Sequence, residues 1–506
     1  MDVFDLLIVG GGINGVGIAR DAAGRGLSVL LCERDDLASG TSSRSGKLIH
    51  GGLRYLEYRE FRLVREALIE REVLLRAAPH IIWPMRFVLP HSPEQRPAWL
   101  IRLGLFLYDH LGGRKILPPT RSLDLAHDPA GKPLRESYRK AFEYSDCWVD
   151  DSRLVVLNAL DAAARGAKIL TRTAVRGARR VGELWEVELE DRRSNQRRIV
   201  RARCLVNAAG PWVEQMLAAI EGAESRRRVR LVKGSHIVTR RFWAGEQAYL
   251  LQNDDKRVIF VNPYEGDLAL IGTTDIPIEG DAGEARIEPA EIDYLLGVVG
   301  RYFRAPPGRG DILHGFSGVR PLYDDSAENP SAVTRDYIFE VDPKAPGSGQ
   351  GPVLSIFGGK ITTFRKLAEH ALERLMPFFP TAGAAWTSAT PLPGGDMPAA
   401  DFERWLAAFH AARAWLPAAL ARHYGRLYGT RAEALLGKAQ GLADLGQHFG
   451  ALFYEREARF LLAEEWAETA EDILERRTKH GLHLQPAERR AFEAWLAGSG
   501  QRRVSA

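Results

Sequence analysis

A chain that opens FDLLIVGGGINGVGIARDAAGRGLSVLLCERDD (residues 4–36) has little freedom in how it starts to fold. LLIV is a short buried strand, VGIARDAAGRG runs on at helical spacing, LSVLLC is a second strand, and Glu33 closes it. Gly10, Gly12 and Gly15 between strand and helix make G-x-G-x-x-G, with Asn14 inside the turn. The first glycine permits the tight turn, the second lets backbone approach a pyrophosphate, and the third lets helix and strand pack closely. The helix N-terminus then presents free N–H groups and a positive dipole end to phosphate. An acid at the position of Glu33 suits the adenosine ribose hydroxyls. Strand, turn, helix, strand and acid together predict a Rossmann-like dinucleotide site. Its place at the start of a chain of 506 residues favours FAD over NAD.

Length and composition set the wider frame. Two or three domains are expected, and 45% apolar with 26% charged residues describes a folded globular chain. Basic residues exceed acidic ones by only four (69 against 65), too little to argue for nucleic acid. Cys32, Cys147 and Cys204 lie far apart among apolar residues, which is neither a disulfide framework nor a zinc pattern and suits a reducing cytoplasm. Met1 leads directly into a strand without a basic leader, and no apolar run is long enough to span a bilayer. No histidine–carboxylate spacing suggests a metal, and no G-x-S-x-G nucleophile motif occurs.

The segment TSSRSGKLIHGGLRYLEYREF (41–61) follows the second strand. In an FAD protein it has to run along the cofactor from pyrophosphate to flavin. Thr41, Ser42 and Ser43 offer hydroxyls and N–H groups, Lys47, Leu48 and His50 follow, and Gly51–Gly52 allow backbone close to a flat ring. This stretch closely resembles bacterial FAD-dependent glycerol-3-phosphate dehydrogenases of the respiratory, aerobic type. So do FEYSDCWVDDSRLV (142–155), LVNAAGPWV (205–213), KGSHIV (233–238), LQNDDKRVIFVNPYEGDLALIGTTD (251–275), SGVRPL (317–322), TRDY (334–337), FGGKITTFRKLAEHAL (357–372), ARHYGRLYG (421–429) and RRTKHGL (476–482). The resemblance runs in order along nearly the whole chain. One departure is a second alanine in LVNAAGPWV.

The resulting expectation is an α/β (α+β overall) chain: a Rossmann-like FAD domain from discontinuous pieces (1–80, 148–236, 318–380), an antiparallel-sheet substrate domain (81–147, 237–317), and a helical C-terminal cap (381–506). Val175, Ala209, Gly210 and Trp212 in the second FAD piece are further cofactor candidates. So are Gly318, Gly359, Lys360, Ile361 and Thr362 in the third, where a Gly-Gly turn can aim helix N–H groups at the flavin. Oxidising an alcohol on flavin requires the C–H held at N5, a base for the hydroxyl proton, and charge complementary to the rest of the substrate. Arg320 and Arg335 are the expected anion binders, because a guanidinium fork matches phosphate. The resemblance puts Arg320 near the reacting hydroxyl and Arg335 toward the phosphate, with Arg54 and Tyr55 entering the same pocket. His236, His50 and Lys360 compete for the base; histidine is best poised near neutral pH, and His236 is the first choice. Lys360 could instead stabilise negative charge, and Thr273 and Thr274 could bind substrate hydroxyls.

The resemblance implies oxidation of sn-glycerol 3-phosphate to dihydroxyacetone phosphate, with electrons passed to ubiquinone or menaquinone. It also implies a cytoplasmic enzyme held peripherally at the inner face of the membrane, and it allows a homodimer. An oxygen-using oxidase and a flavin amine or amino-acid oxidase stand as alternatives; a flavin-bearing RNA-associated protein is disfavoured by the dispersed charge. PAWLIRLGLFLYDHLGGRK (97–115) reads either as an interfacial amphipathic segment or, preferred here, as a core helix.

Overall fold

The structure is a computed structural model that describes residues 3–501, apart from 58, 93, 224–226, 256, 325–335 and 344. Two large sheets organise it. In the first, the strands Tyr337–Asp342, Val353–Gly358, Arg197–Asn207, Val3–Val9, Val29–Cys32 and Lys168–Leu170 lie side by side. All neighbours in this row are parallel except the first pair. A parallel strand buried on both faces needs a continuous apolar run, and LLIV supplies it: Leu6, Leu7 and Ile8 have no exposed surface. The helices Ile13–Gly24, Asp151–Ala164 and Phe364–Leu375 share the core on one side. The hairpin Thr173–Val181 and Leu184–Asp191, paired to the strand Arg197–Asn207, belongs to the core on the other. This is the Rossmann-like half.

The second sheet runs Ile276–Pro277, Val229–Arg240, Leu268–Gly272, Val258–Tyr264, Ala248–Gln252, Ile82–His91, Lys140–Val149, Leu48–Ile49. It is antiparallel except where Ala248–Gln252 meets Ile82–His91. The strand Ile312–Tyr323 pairs with Val229–Arg240 along its length, so residues 229–236 and 318–323, expected in the FAD domain, stand in this sheet. Leu48–Ile49 also leaves its Rossmann-like neighbours to pair with Trp148 and Cys147. Alternation along Val258–Tyr264 separates two faces. Ile259 and Val261 pack in a core with Leu295, Val298 and Val299 of the helix Pro289–Tyr302. Val258, Phe260 and Asn262 face a cavity between the sheets.

The helix Ala98–Leu111 is not the core helix preferred from sequence. Only Leu105 and Tyr108 are buried, whereas Trp99 is 69%, Phe106 52% and Leu103 48% exposed. Its apolar residues outnumber what its inner face can bury.

The helical C-terminal part has its own core around Tyr424, Tyr428, Phe453 and Phe492. Buried ion pairs join it to the Rossmann-like half. Asp36 receives Arg476 and Arg477, each at 2.7 Å; Asp150 receives the Lys479 ammonium at 2.6 Å; and Arg153 pairs with Glu465. Burial acts to raise the Glu465 carboxyl, but Arg153 and Arg431 hold it down at about 2. Its folded value is thus below the value of about 4.3 of an unfolded chain, so its contribution is present above that pH and lost as pH falls toward 2. Acid titration followed by far-UV circular dichroism should show a stability loss between about pH 4.3 and 2 that is shallower in Glu465→Gln. At pH 7 that variant, which leaves Arg153 buried beside a neutral amide, should be less stable by about 3–5 kcal/mol in urea.

Candidate active site

The first turn is shaped for close backbone approach. Gly10 has φ +110°, and a Cβ there would sit 2.6 Å from the Ala208 carbonyl oxygen. A Cβ on Gly15 would sit 1.9 Å from the Gly10 oxygen, so this glycine serves packing. Ile13 N donates to Ser42 Oγ at 3.0 Å, which ties the helix start to the segment after the second strand. The two Glu33 oxygens accept from Gly11 N (2.7 Å) and Asp35 N (2.8 Å), and each keeps a lone-pair direction for a ribose hydroxyl. The Arg34 guanidinium lies 4.1 Å over the Trp212 ring, walling the same end.

From here a cavity of about 1070 Å³ runs between the two sheets. One wall is the second sheet: Gly234, His236, Phe260, Asn262, Gly272 and Thr273. Facing it are Gly46 and His50, with the turn Gly358–Thr362; Leu48, from the edge of the second sheet, also lines the cavity. Asn14 Nδ2 donates to the Gly358 oxygen at 3.3 Å, His50 N donates to Thr362 Oγ1 at 3.2 Å, and the Lys360 ammonium lies 3.9 Å over the Tyr55 ring. The 45–52 segment is anchored from behind. Lys47 Nζ meets Asp151 at 2.8 Å, and Gly51 N donates to Tyr108 Oη at 2.7 Å, itself bonded to Asp146, the partner of Arg71.

On the sheet wall Arg320 pairs with Asp275 and donates to Thr273 Oγ1 at 3.1 Å. His236 stacks on Phe316 with ring centroids 5.0 Å apart, and its buried Nδ1 has no partner. Burial pushes its pKa down to about 3, helped by Arg320 and Lys47, so the imidazole is neutral at physiological pH.

The cavity brings together Gly10, Gly12, Asn14, Glu33, Thr41, Ser42, Leu48, His50, Arg54, Tyr55, Val175, Ala209, Gly210, Trp212, His236, Thr273, Gly318, Arg320, Gly359, Lys360, Ile361 and Thr362 on its walls. Four expected residues are not on them. Gly15 packs under the turn, Lys47 is spent on Asp151, and Ser43 gives its carbonyl to Lys47. Thr274 is buried on the opposite face, with Oγ1 on Glu291 at 2.7 Å. Arg335 lies outside the described residues. Sequence reading passed over Arg34, Phe260, Asn262 and Asp275; period-two alternation from Phe260 could have found Asn262.

An elongated cleft, a glycine cradle that any Cβ would fill, and an acid poised for a ribose fit FAD. The unpartnered Asn14 Oδ1 at the turn fits as well. Residues 5–365 match the family described as FAD dependent oxidoreductase, and residues 385–496 match the C-terminal domain of alpha-glycerophosphate oxidase. The chain belongs to the FAD-dependent oxidoreductases, in the branch that holds the bacterial aerobic glycerol-3-phosphate dehydrogenases. It is 62% identical to D-erythritol 1-phosphate dehydrogenase of Brucella abortus, over 97% of both chains. It is 50% identical to the aerobic glycerol-3-phosphate dehydrogenase of Escherichia coli, over 100% of this chain and 99% of the other. The crystal structure of the Bacillus halodurans glycerol-3-phosphate dehydrogenase complexed with FAD superposes with a TM-score of 0.75 at 26% identity, covering 98% of this chain and 94% of that one. Gly15→Ala, which forces a Cβ into the Gly10 carbonyl, should yield protein with less than about a tenth of the wild-type flavin per chain, measured by flavin absorbance at 450 nm after desalting.

Proposed function

We propose that this chain is an FAD-dependent dehydrogenase that oxidises sn-glycerol 3-phosphate to dihydroxyacetone phosphate. The supporting observation is the convergence of Arg54, Arg320 and Lys360 with a neutral imidazole on the walls of one cavity lined for flavin. FAD, held by the Gly10–Gly12 turn and Glu33, would supply the hydride acceptor. The chain's residues do the rest. The cations bind the phosphate dianion, with Arg335 as a further expected contributor. Asp275 and Thr273 fix the Arg320 fork, which faces the oxygen of the reacting hydroxyl. His236 takes the hydroxyl proton. A base held at about 3 is weak in the empty site, but an arriving dianion raises it by offsetting Arg320 and Lys47. Lys360 stabilises negative charge at the turn beside Thr362.

A second reading is favoured by the 62% identity to D-erythritol 1-phosphate dehydrogenase. That four-carbon phosphate carries the same secondary alcohol beside the phosphorylated carbon, and the same constellation would oxidise it. The full-length relatives are named dehydrogenases, which favours an acceptor other than oxygen.

No described helix is long and apolar enough to cross a membrane. Membrane quinone as acceptor, and a cytoplasmic-face location, draw support from the helix Ala98–Leu111. Its outer side exposes Trp99 and Phe106, side chains suited to an interface. Leu100, Ile101, Leu103, Gly104 and Leu107 line the flavin cavity.

Anaerobic addition of sn-glycerol 3-phosphate to the purified yellow protein should bleach the flavin; a flavin-loaded protein that stays yellow at millimolar substrate overturns the reading. His236→Gln should slow that bleaching by about 10²–10⁴-fold with retained flavin, while Arg320→Lys should raise the half-saturating substrate concentration. Trp99→Ser with Phe106→Ser should release the protein from liposomes in flotation assays without changing flavin reduction by substrate.

A further inference from the structure

One polar group on the cavity wall is used by none of the steps above. Asn262 is 1% exposed, and its Oδ1 is buried with no hydrogen-bond partner. Strand alternation turns it, with Val258 and Phe260, to the cavity. The sheet register fixes its place. Phe260 pairs with Gly272, and Gly272 with His236. Asn262 pairs with Leu270, and Leu270 with Val238. Asn262 therefore stands one step beyond the His236 row, about 7 Å along the strands. Arg320 lies on the other side of that row: it pairs with Val232, and its guanidinium reaches Gly234 and Thr273. The neighbour of Asn262 across the sheet, Leu270, is apolar and buried.

A carboxamide left unsatisfied in such surroundings is disfavoured relative to leucine, which the site would otherwise accept. Its position demands a polar ligand atom, and a neutral one. The phosphate is drawn toward Arg320, on the far side of His236, and an amide offers a donor and an acceptor suited to a hydroxyl. We propose that Asn262 hydrogen-bonds a hydroxyl on the polyol chain, on the side of the reacting carbon away from the phosphate. It thereby selects substrates with at least one more hydroxylated carbon than glycerol phosphate. This rests on the reading of the site as a polyol-phosphate site, and it deepens that reading by naming the chain length. With the secondary alcohol at His236 and the phosphate toward Arg320, glycerol phosphate offers only a hydroxymethyl group in this direction. A four-carbon phosphate offers a second secondary alcohol and a terminal hydroxyl.

The test is anaerobic flavin reduction by the holoenzyme with sn-glycerol 3-phosphate and D-erythritol 1-phosphate, in wild type, Asn262→Leu and Asn262→Ser. The readout is the ratio of kcat/KM, four-carbon over three-carbon. In the wild type this ratio should exceed one. Asn262→Leu should lower it by about tenfold or more, the loss of one hydrogen bond to a desolvated site. Asn262→Ser, which keeps a hydroxyl, should fall between. Flavin content and absorption spectrum should match wild type. An unchanged ratio in Asn262→Leu overturns the proposal while leaving the polyol-phosphate reading intact. A shifted flavin spectrum with an unchanged ratio assigns the amide to the cofactor and also overturns it. Bleaching of the wild type by neither phosphate overturns the underlying reading and the proposal with it.

Discussion

The structure hangs on three strands that are remote in sequence and adjacent in space. Val3–Val9 lies parallel to residues 201–207, and residues 205–207 lie parallel to 353–355. Parallel neighbours require crossovers, and here each is more than a hundred residues long. The second sheet is built inside those excursions, from residues 48–149 and 229–323. It returns over the C-terminal ends of the first sheet's strands, where an open α/β sheet binds its ligand. The cavity is therefore a seam: dinucleotide-cradling groups come from one sheet, and the chemistry-bearing groups of the other wall come from the second.

That arrangement explains why the reacting centre is cationic yet holds a neutral histidine. Lys47 and Arg320 flank His236, and both carry carboxylate partners, Asp151 and Asp275. Their field disfavours an imidazolium in the empty site, and burial disfavours it more. An anion entering the same space would offset the two cations while leaving the cost of burial in place.

Much of this was legible in the sequence wherever the signal was local. The glycine turn, Glu33 and the Gly-Gly turn at 358–359 follow from contacts within a few residues, and all line the cavity. What depends on register was not legible. Thr273 and Thr274 are equivalent as sequence, but one lines the cavity and the other turns to Glu291. Lys47 reads as a ligand-binding cation until Asp151, more than a hundred residues on, is seen to hold it. Asp275 and Asn262 went unseen because their meaning lies in what faces them across the sheet. For the helix Ala98–Leu111 the core reading was preferred over the interfacial one for the opposite reason: an apolar segment looks like core unless something shows that the core is already full.

The ion pairs between the Rossmann-like half and the C-terminal part also impose an order in time. Asp36, three residues after Glu33, is neutralised by arginines 440 and 441 positions downstream. During synthesis the opening strand–helix–strand unit leaves the ribosome with this carboxylate still hydrated. It reaches its final desolvated state only when Arg476 and Arg477 have emerged and folded back on it. The part of the molecule most easily read from sequence is thus completed only by residues made more than four hundred positions later.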